Sequence, residues 1–153
     1  RENGQTIWSP IMMFSEMTFD SSEYQASLSL REDILRIPLG KKLSHNDTCN
    51  DDQQLHFGMF NEANLVACVV IKPLDSSQVK LRQMAVSNDY QGQDIGRQLI
   101  NKTEATLQQK SFNRIELNAR KVALGFYNKL GYVIEGDYFL ENGIEHIKMM
   151  KRL

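Results

Sequence analysis

Apolar and polar positions alternate over "MFSEMTF", residues 13 to 19, which predicts a first strand. "DSSEY" then offers side chains suited to capping a helix, and Tyr24, Leu28, Ile34 and Leu35 recur behind it at helical spacing. Pro38 and Gly40 in "IPLG" stop that helix, and residues 41 to 53, rich in Asn and Asp, read as a polar loop. Three β-rich segments follow, "LHFGMF", "NLVACVVIKP" and "QVKLRQMAV", joined by the turn-prone "NEAN" and "PLDSS"; they predict an antiparallel meander. In the third segment Leu81, then Met84 and Val86, break strict alternation as one inserted residue would.

The period then lengthens again. Ile95, Leu99, Ile100, Thr103 and Leu107 mark one side of a helix, and "NRIELNA" reads as a short strand. A third helix spans about 121 to 130 and stops at Gly131, and "YVIEGDYFLENGIEHIKMM" closes the chain as two strands around "ENG". This mixture predicts a single-domain α/β (α+β) sandwich: a central, mixed, mostly antiparallel twisted sheet of about seven strands flanked by helices. Residues 1 to 11 carry no period and read as a poorly structured tag or linker remnant, with Met12 or Met13 as the expected natural start and 12 to 153 as the domain.

Composition narrows the partners. The 153 residues carry 18 basic and 19 acidic side chains for a net charge of -1, and no long single-sign run, so neither nucleic acid nor a membrane surface is an expected partner. No apolar run approaches the roughly 18 residues of a membrane span, and "RENGQTIWSP" lacks the shape of a signal peptide. Cys68 lies in the apolar run "LVACVV", where a buried free thiol is expected, and with Cys49 as the other cysteine a reducing cytoplasm fits. "HNDTCNDD", residues 45 to 52, mixes ligand types, but its spacing matches no standard zinc site, and no metal is expected.

The candidate chemistry centres on "AVSNDYQGQDIGRQLI", residues 85 to 100, where a strand passes through Gln91, Gly92, Gln93, Asp94 and Gly96 into a helix. A helix N-terminus leaves unpaired N–H groups and about half a positive charge, so a glycine-bearing turn there suits a diphosphate; a plain turn has the same look. Neither G-x-G-x-x-G nor G-x-x-x-x-G-K-[ST] is present, which sets aside a dinucleotide fingerprint and a P-loop.

"LRQMAVSNDYQGQDIGRQLI" followed by "ALGFYNKLGY" resembles the acetyl-CoA site of the GNAT superfamily of N-acyltransferases, and the likeness extends over most of the chain. The run from Leu117-Asn118-Ala119 through Tyr127 and Gly131-Tyr132 to Gly143-Ile144, His146 and Met149 is similar to the ElaA-type branch. The resemblance implies a GNAT-like fold and transfer of an acetyl group from acetyl-CoA to a primary amine of a small molecule or peptide, by direct attack and without metal. An acyl-CoA binding module without turnover is the alternative, and a plain structural domain a third. A homodimer paired through the final strands is compatible with each.

The resemblance also assigns residues. Met84, Ala85 and Val86 would meet the pantetheine and the thioester carbonyl; Gln91, Gly92, Gln93, Asp94, Ile95, Gly96 and Arg97 would surround the diphosphate, with Gln98 nearby; Asn118 and Phe126 would complete the cofactor contacts. Asp94 replaces the usual middle glycine of that loop, and a carboxylate about 5 Å from a phosphate charge would cost about 3 kcal/mol at an effective dielectric near 20, so its side chain is expected to turn outward. Arg120 stands where many members have asparagine. Tyr127 is the expected acid for the leaving thiolate, since a phenol stays protonated at neutral pH. For the base, Glu116 and His146 stand together, with His56 behind them. The polar loop and the helix before it, from Leu30 to Leu43, would border the acceptor.

Overall fold

Each alternating segment becomes a strand and each periodic one a helix, in a computed structural model that describes residues 12–153; the expected remnant at 1 to 11 lies outside the described residues. The order is β1 (Met12–Met17), α1 (Ser22–Leu35), α2 (His45–Thr48), β2 (Leu55–Asn61), β3 (Asn64–Pro73), β4 (Gln78–Val86), α3 (Ile95–Gln109), β5 (Arg114–Arg120), α4 (Leu124–Lys129), β6 (Val133–Ile134), β7 (Phe139–Glu141) and β8 (Ile144–Arg152). One sheet holds all of the strands in the order β1-β2-β3-β4-β5-β8-β6, with β7 also on β8. Every pairing is antiparallel except β4 with β5.

Two expectations are refined. The strand expected before "ENG" is split: β6 pairs with β8 at Val133↔Met150 and β7 at Phe139↔His146, while Gly136 between them has φ 101°, a left-handed turn that extended backbone does not allow. That division makes eight strands among the described residues where about seven are expected. The polar stretch 41 to 53 is also more ordered than a loop, because Ser44 and Asp47 cap each other's backbone and start α2. The "ENG" turn itself is the tight hairpin expected, Asn142 and Gly143 both having positive φ.

The larger core lies between the sheet and α3, where Leu99, Ile100 and Leu107 meet Phe57, Val69, Ile71, Val79 and Leu81, all buried. On the opposite face α1 covers a smaller apolar cluster around Met17, Phe60, Cys68 and Ala85. Cys68 is a buried free thiol, which burial pushes up to about 12. The inward stripe of α1 is not purely apolar: Tyr24, Ser27 and Arg31 are its buried residues, and Arg31 pairs with the equally buried Asp51 at 2.7 Å. Among the described residues no helix is long and apolar enough to cross a membrane.

One irregularity positions everything that follows. Opposite Val69 of β3, which lies between the pairs Cys68↔Ala85 and Val70↔Arg82, β4 carries two residues, Gln83 and Met84. Gln83 takes φ 44°, so β4 bulges by one residue, as the broken alternation predicts. The faces confirm it: Val79 and Leu81 lie in the larger core, Met84 and Val86 of the opposite parity pack against that same core, and Ala85 turns to the α1 side.

Candidate functional site

Parallel pairing between β4 and β5 ends at Leu81↔Leu117. Beyond that point β4 stays with β3 as far as Val86, while β5 stays with β8 as far as Arg120, so the two central strands part. A cavity of about 410 Å³ opens in this fork. Its floor is Met84 on one side and Leu117 to Arg120 on the other; the end of α1, the β7–β8 hairpin and Tyr127 form its walls.

Tyr127 reaches the cavity from α4, a helix stopped at Gly131, whose φ of 96° suits glycine. Its ring meets Phe126 at 5.1 Å and Tyr132 at 5.7 Å, both edge-on. Burial alone raises the phenol to about 12, and its hydroxyl has no hydrogen-bond partner among the described residues. Such a group is neutral throughout the physiological range and has its proton free to donate.

The turn after β4 lies at the other end of the fork. Gln91 donates from Nε2 to the Val86 and Asn88 oxygens, both at 3.1 Å, and Gln93 donates to the Asp89 carbonyl at 3.2 Å. These side chains brace the turn rather than cover it. Gly92 and Asp94 both take left-handed backbone, with φ 77° and 67°. Asp94 is the N-cap of α3, but its carboxylate caps no helical N–H; it turns back to Arg97, accepting from Nε at 2.8 and 2.9 Å and from Nη2. The first N–H groups of α3 therefore remain uncapped by a side chain. Ile95 is buried in the core, so its backbone alone faces the turn. Gly96 sits under Phe126, whose Cζ would be 3.4 Å from a Cβ at that position, so Phe126 links the turn to Tyr127.

The outward carboxylate makes a testable difference. Left-handed backbone is cheaper for glycine than for aspartate, and Asp94 occupies the guanidinium of Arg97. Asp94→Gly is expected to leave acetyl-CoA affinity unchanged or to tighten it by up to about tenfold, read by calorimetry; a tenfold loss would contradict this.

The candidate bases separate. His146 is buried and lines the cavity, and its Nδ1 is 2.8 Å from the Ile144 carbonyl. Because a carbonyl accepts, Nδ1 carries the proton and Nε2 has the lone pair. Glu141 Oε2 is 3.7 Å from that nitrogen, and its other oxygen accepts from Asn118 Nδ2 at 3.2 Å. Glu116, by contrast, does not line the cavity: Arg114 holds it at 2.8 Å and Lys148 stands 3.7 Å away. It shares a strand face with Asn118, as expected, but two cations hold it one pleat short of the fork. His56 is farther still from a role. It is buried beside α1 with Nε2 bonded to the Asp51 carbonyl at 2.8 Å, and desolvation lowers its pKa, keeping it neutral.

Sequence reasoning did not single out Glu141, Lys80, Arg82 or the bulge residue Gln83, all of which line the cavity. Gln83 is held from below: Arg31 Nε donates to its Oε1 at 2.7 Å, and Nε2 of Gln83 reaches Asp47. The polar stretch 45 to 52 serves this network. Burial pushes the Asp47 carboxyl up, but hydrogen bonds from Arg36 and Ser44 outweigh it and hold the group near 2. Among the described residues no three His, Cys, Asp or Glu side chains converge as metal ligands.

Residues 40–153 fit the acetyltransferase (GNAT) domain. The chain belongs to the GNAT acetyltransferase family. Among curated relatives it is similar to YyaT, an uncharacterised protein of Bacillus subtilis, at 31% identity over 74 residues, 48% of this chain. That match spans 50% of YyaT. It is also similar to an uncharacterised N-acetyltransferase of the same organism, YitI, at 32% identity over 105 residues, covering 64% of this chain and 70% of YitI. Among solved structures, Escherichia coli ElaA superposes with TM-score 0.79 at 23% identity, over 92% of this chain and 99% of ElaA. A GNAT family acetyltransferase from Elizabethkingia anophelis with acetyl-CoA bound superposes with TM-score 0.71 at 19% identity, over 93% and 98%. These likenesses establish the GNAT fold, an open sheet flanked by helices.

Proposed function

We propose that this GNAT protein moves an acetyl group from acetyl-CoA to a primary amine of a small molecule or peptide, by direct attack of the amine on the thioester. The observation that carries the reading is the β4–β5 fork, with the unhydrogen-bonded Tyr127 phenol on its wall and the uncapped start of α3 at its end. Acetyl-CoA in the Elizabethkingia relative supports the choice of donor.

In this reading the amides from Gly92 to Arg97 hold the diphosphate, with the α3 N-terminus supplying partial positive charge. The bulge leaves the Met84–Val86 edge without a β5 partner, so its backbone is available to the pantetheine and to the thioester oxygen. Asn118 and Phe126 flank the same channel. The amine nitrogen bonds to the thioester carbon, the carbon–sulfur bond breaks, and the Tyr127 phenol gives its proton to the departing thiolate. The amine must first be neutral, which for a lysine-like group of pKa about 10.4 costs about 4.6 kcal/mol at pH 7. His146 Nε2, 3.7 Å from Glu141, is the base this geometry supports.

Two measurements test the function. Acetyl-CoA should raise the melting temperature, and free CoA should appear only when an amine is added. Binding without amine-dependent release would leave a non-catalytic acyl-CoA module, and absence of both would defeat the proposal.

A further inference from the structure

The cavity walls carry an uneven charge that the acetyl donor does not explain. None of residues 91 to 97 lines the cavity, so its cations do not face the turn proposed for the diphosphate. Arg36 is neutralised by Asp47 at 2.7 Å and Arg31 by Asp51 at 2.7 Å. Arg82 stands next to both pairs, yet its guanidinium donates only to neutral oxygens, Gln54 Oε1 at 2.7 Å and the Asp47 carbonyl at 3.2 Å. No carboxylate lies within 4 Å of it among the described residues. On the wall itself Arg82 keeps one half-buried positive charge, and Lys80 adds a second. Facing them across the fork are Glu141 and His146, an anion and a base, with the exposed Arg120 paired in register beside His146. A charge held out of water without a counter-ion is costly, and an anionic ligand group would relieve it.

We infer that the acceptor is a zwitterion, an amino acid whose carboxylate is received by Arg82 with Lys80 beside it, while its amine points across the cavity toward Glu141 and His146. The inference rests on the proposed acetyl transfer and names the acceptor class that the polarity of this cavity selects. The guanidinium has three further N–H groups to offer, enough for the two-pronged contact that a planar carboxylate makes best.

The experiment follows CoA release from acetyl-CoA with matched acceptors: lysine and phenylalanine, each compared with its carboxamide and its decarboxylated amine. The carboxamide is the stringent control, because its less basic amine is neutral more often at a given pH. The free amino acid is expected to exceed both counterparts in kcat/KM by about 10- to 100-fold, the worth of one charge-assisted contact. Arg82→Gln should shrink that ratio to within about threefold, whereas Arg82→Lys, which keeps the charge, should retain part of it. Lys80→Gln should lower the ratio as well and serves if Arg82→Gln does not fold. Carboxamides or decarboxylated amines used as well as the amino acids, or a preference that survives both neutral substitutions, would overturn the inference while acetyl transfer stood. No stabilisation by acetyl-CoA and no release with any amine would remove both readings together.

Discussion

Tyr127→Phe is expected to lower kcat about 100-fold while leaving the affinity for acetyl-CoA and the melting temperature nearly unchanged. The substitution removes one oxygen that bonds to nothing among the described residues, so it strands no buried partner. The ring remains, and with it the edge contacts to Phe126 and Tyr132 at 5.1 and 5.7 Å. What disappears is the proton for the departing thiolate. Burial holds the phenol near 12, so it is the protonated form that is lost at every pH below about 11, and the deficit should be constant across that range. Steady-state kinetics with saturating acetyl-CoA would decide. A turnover number within about threefold of wild type would mean that Tyr127 is a packing residue and that the thiolate leaves unassisted.

The second large effect belongs to a residue that never touches the cavity wall. Arg31→Met should cost about 3 to 5 kcal/mol of folding stability, read from urea denaturation, because removing one partner of a fully buried pair abandons the other. Asp51 is poorly placed to bear that. Its Oδ2 also accepts from the Tyr24 hydroxyl at 2.6 Å, but Oδ1 has no partner among the described residues. Arg31→Met combined with Asp51→Asn should therefore recover about half of the loss, since the abandoned charge is gone. Arg31 also holds Gln83 in its left-handed position at the bulge, so the single variant should weaken amine turnover even under conditions where it remains folded. A loss below about 1 kcal/mol would indicate that Arg31 and Asp51 reach water.

The contrast between these two positions explains what the sequence made legible. Tyr127, Gly92, the turn into α3 and the break in β4 alternation are local signals: a glycine where φ must be positive, a shift in parity where one residue is inserted. The family resemblance, confirmed by the match over 40–153, joined them into a site. Arg31 and Asp51 carry charges, and charged residues are rarely fully buried, so neither stands out in the sequence as a core residue. One signal was available. Tyr24, Ser27 and Arg31 follow helical spacing on the inward face, which places Arg31 beneath α1 on periodicity alone.

Other contacts of the candidate residues have the same origin. Strand parity correctly put Glu116 on the face of Asn118, but parity does not reveal that Arg114 and Lys148 claim its carboxylate. His56 has only its strand placement in its favour as a base, and the bond that locks it comes from the Asp51 carbonyl five residues away. Glu141, by contrast, enters the cavity because the Asn142-Gly143 hairpin folds β7 back beside His146. Interactions that depend on which distant element arrives opposite a residue were the ones sequence patterns could not supply.

The central claim is that the backbone amides of residues 92 to 97 hold the diphosphate of acetyl-CoA and so lay the thioester in the β4–β5 fork. A crystal structure of the protein grown with CoA tests it most directly. The account predicts phosphate oxygens about 2.7 to 3.2 Å from those amide nitrogens and the sulfur beside the Tyr127 hydroxyl. A diphosphate bound away from that turn, or a sulfur outside the fork, would contradict it.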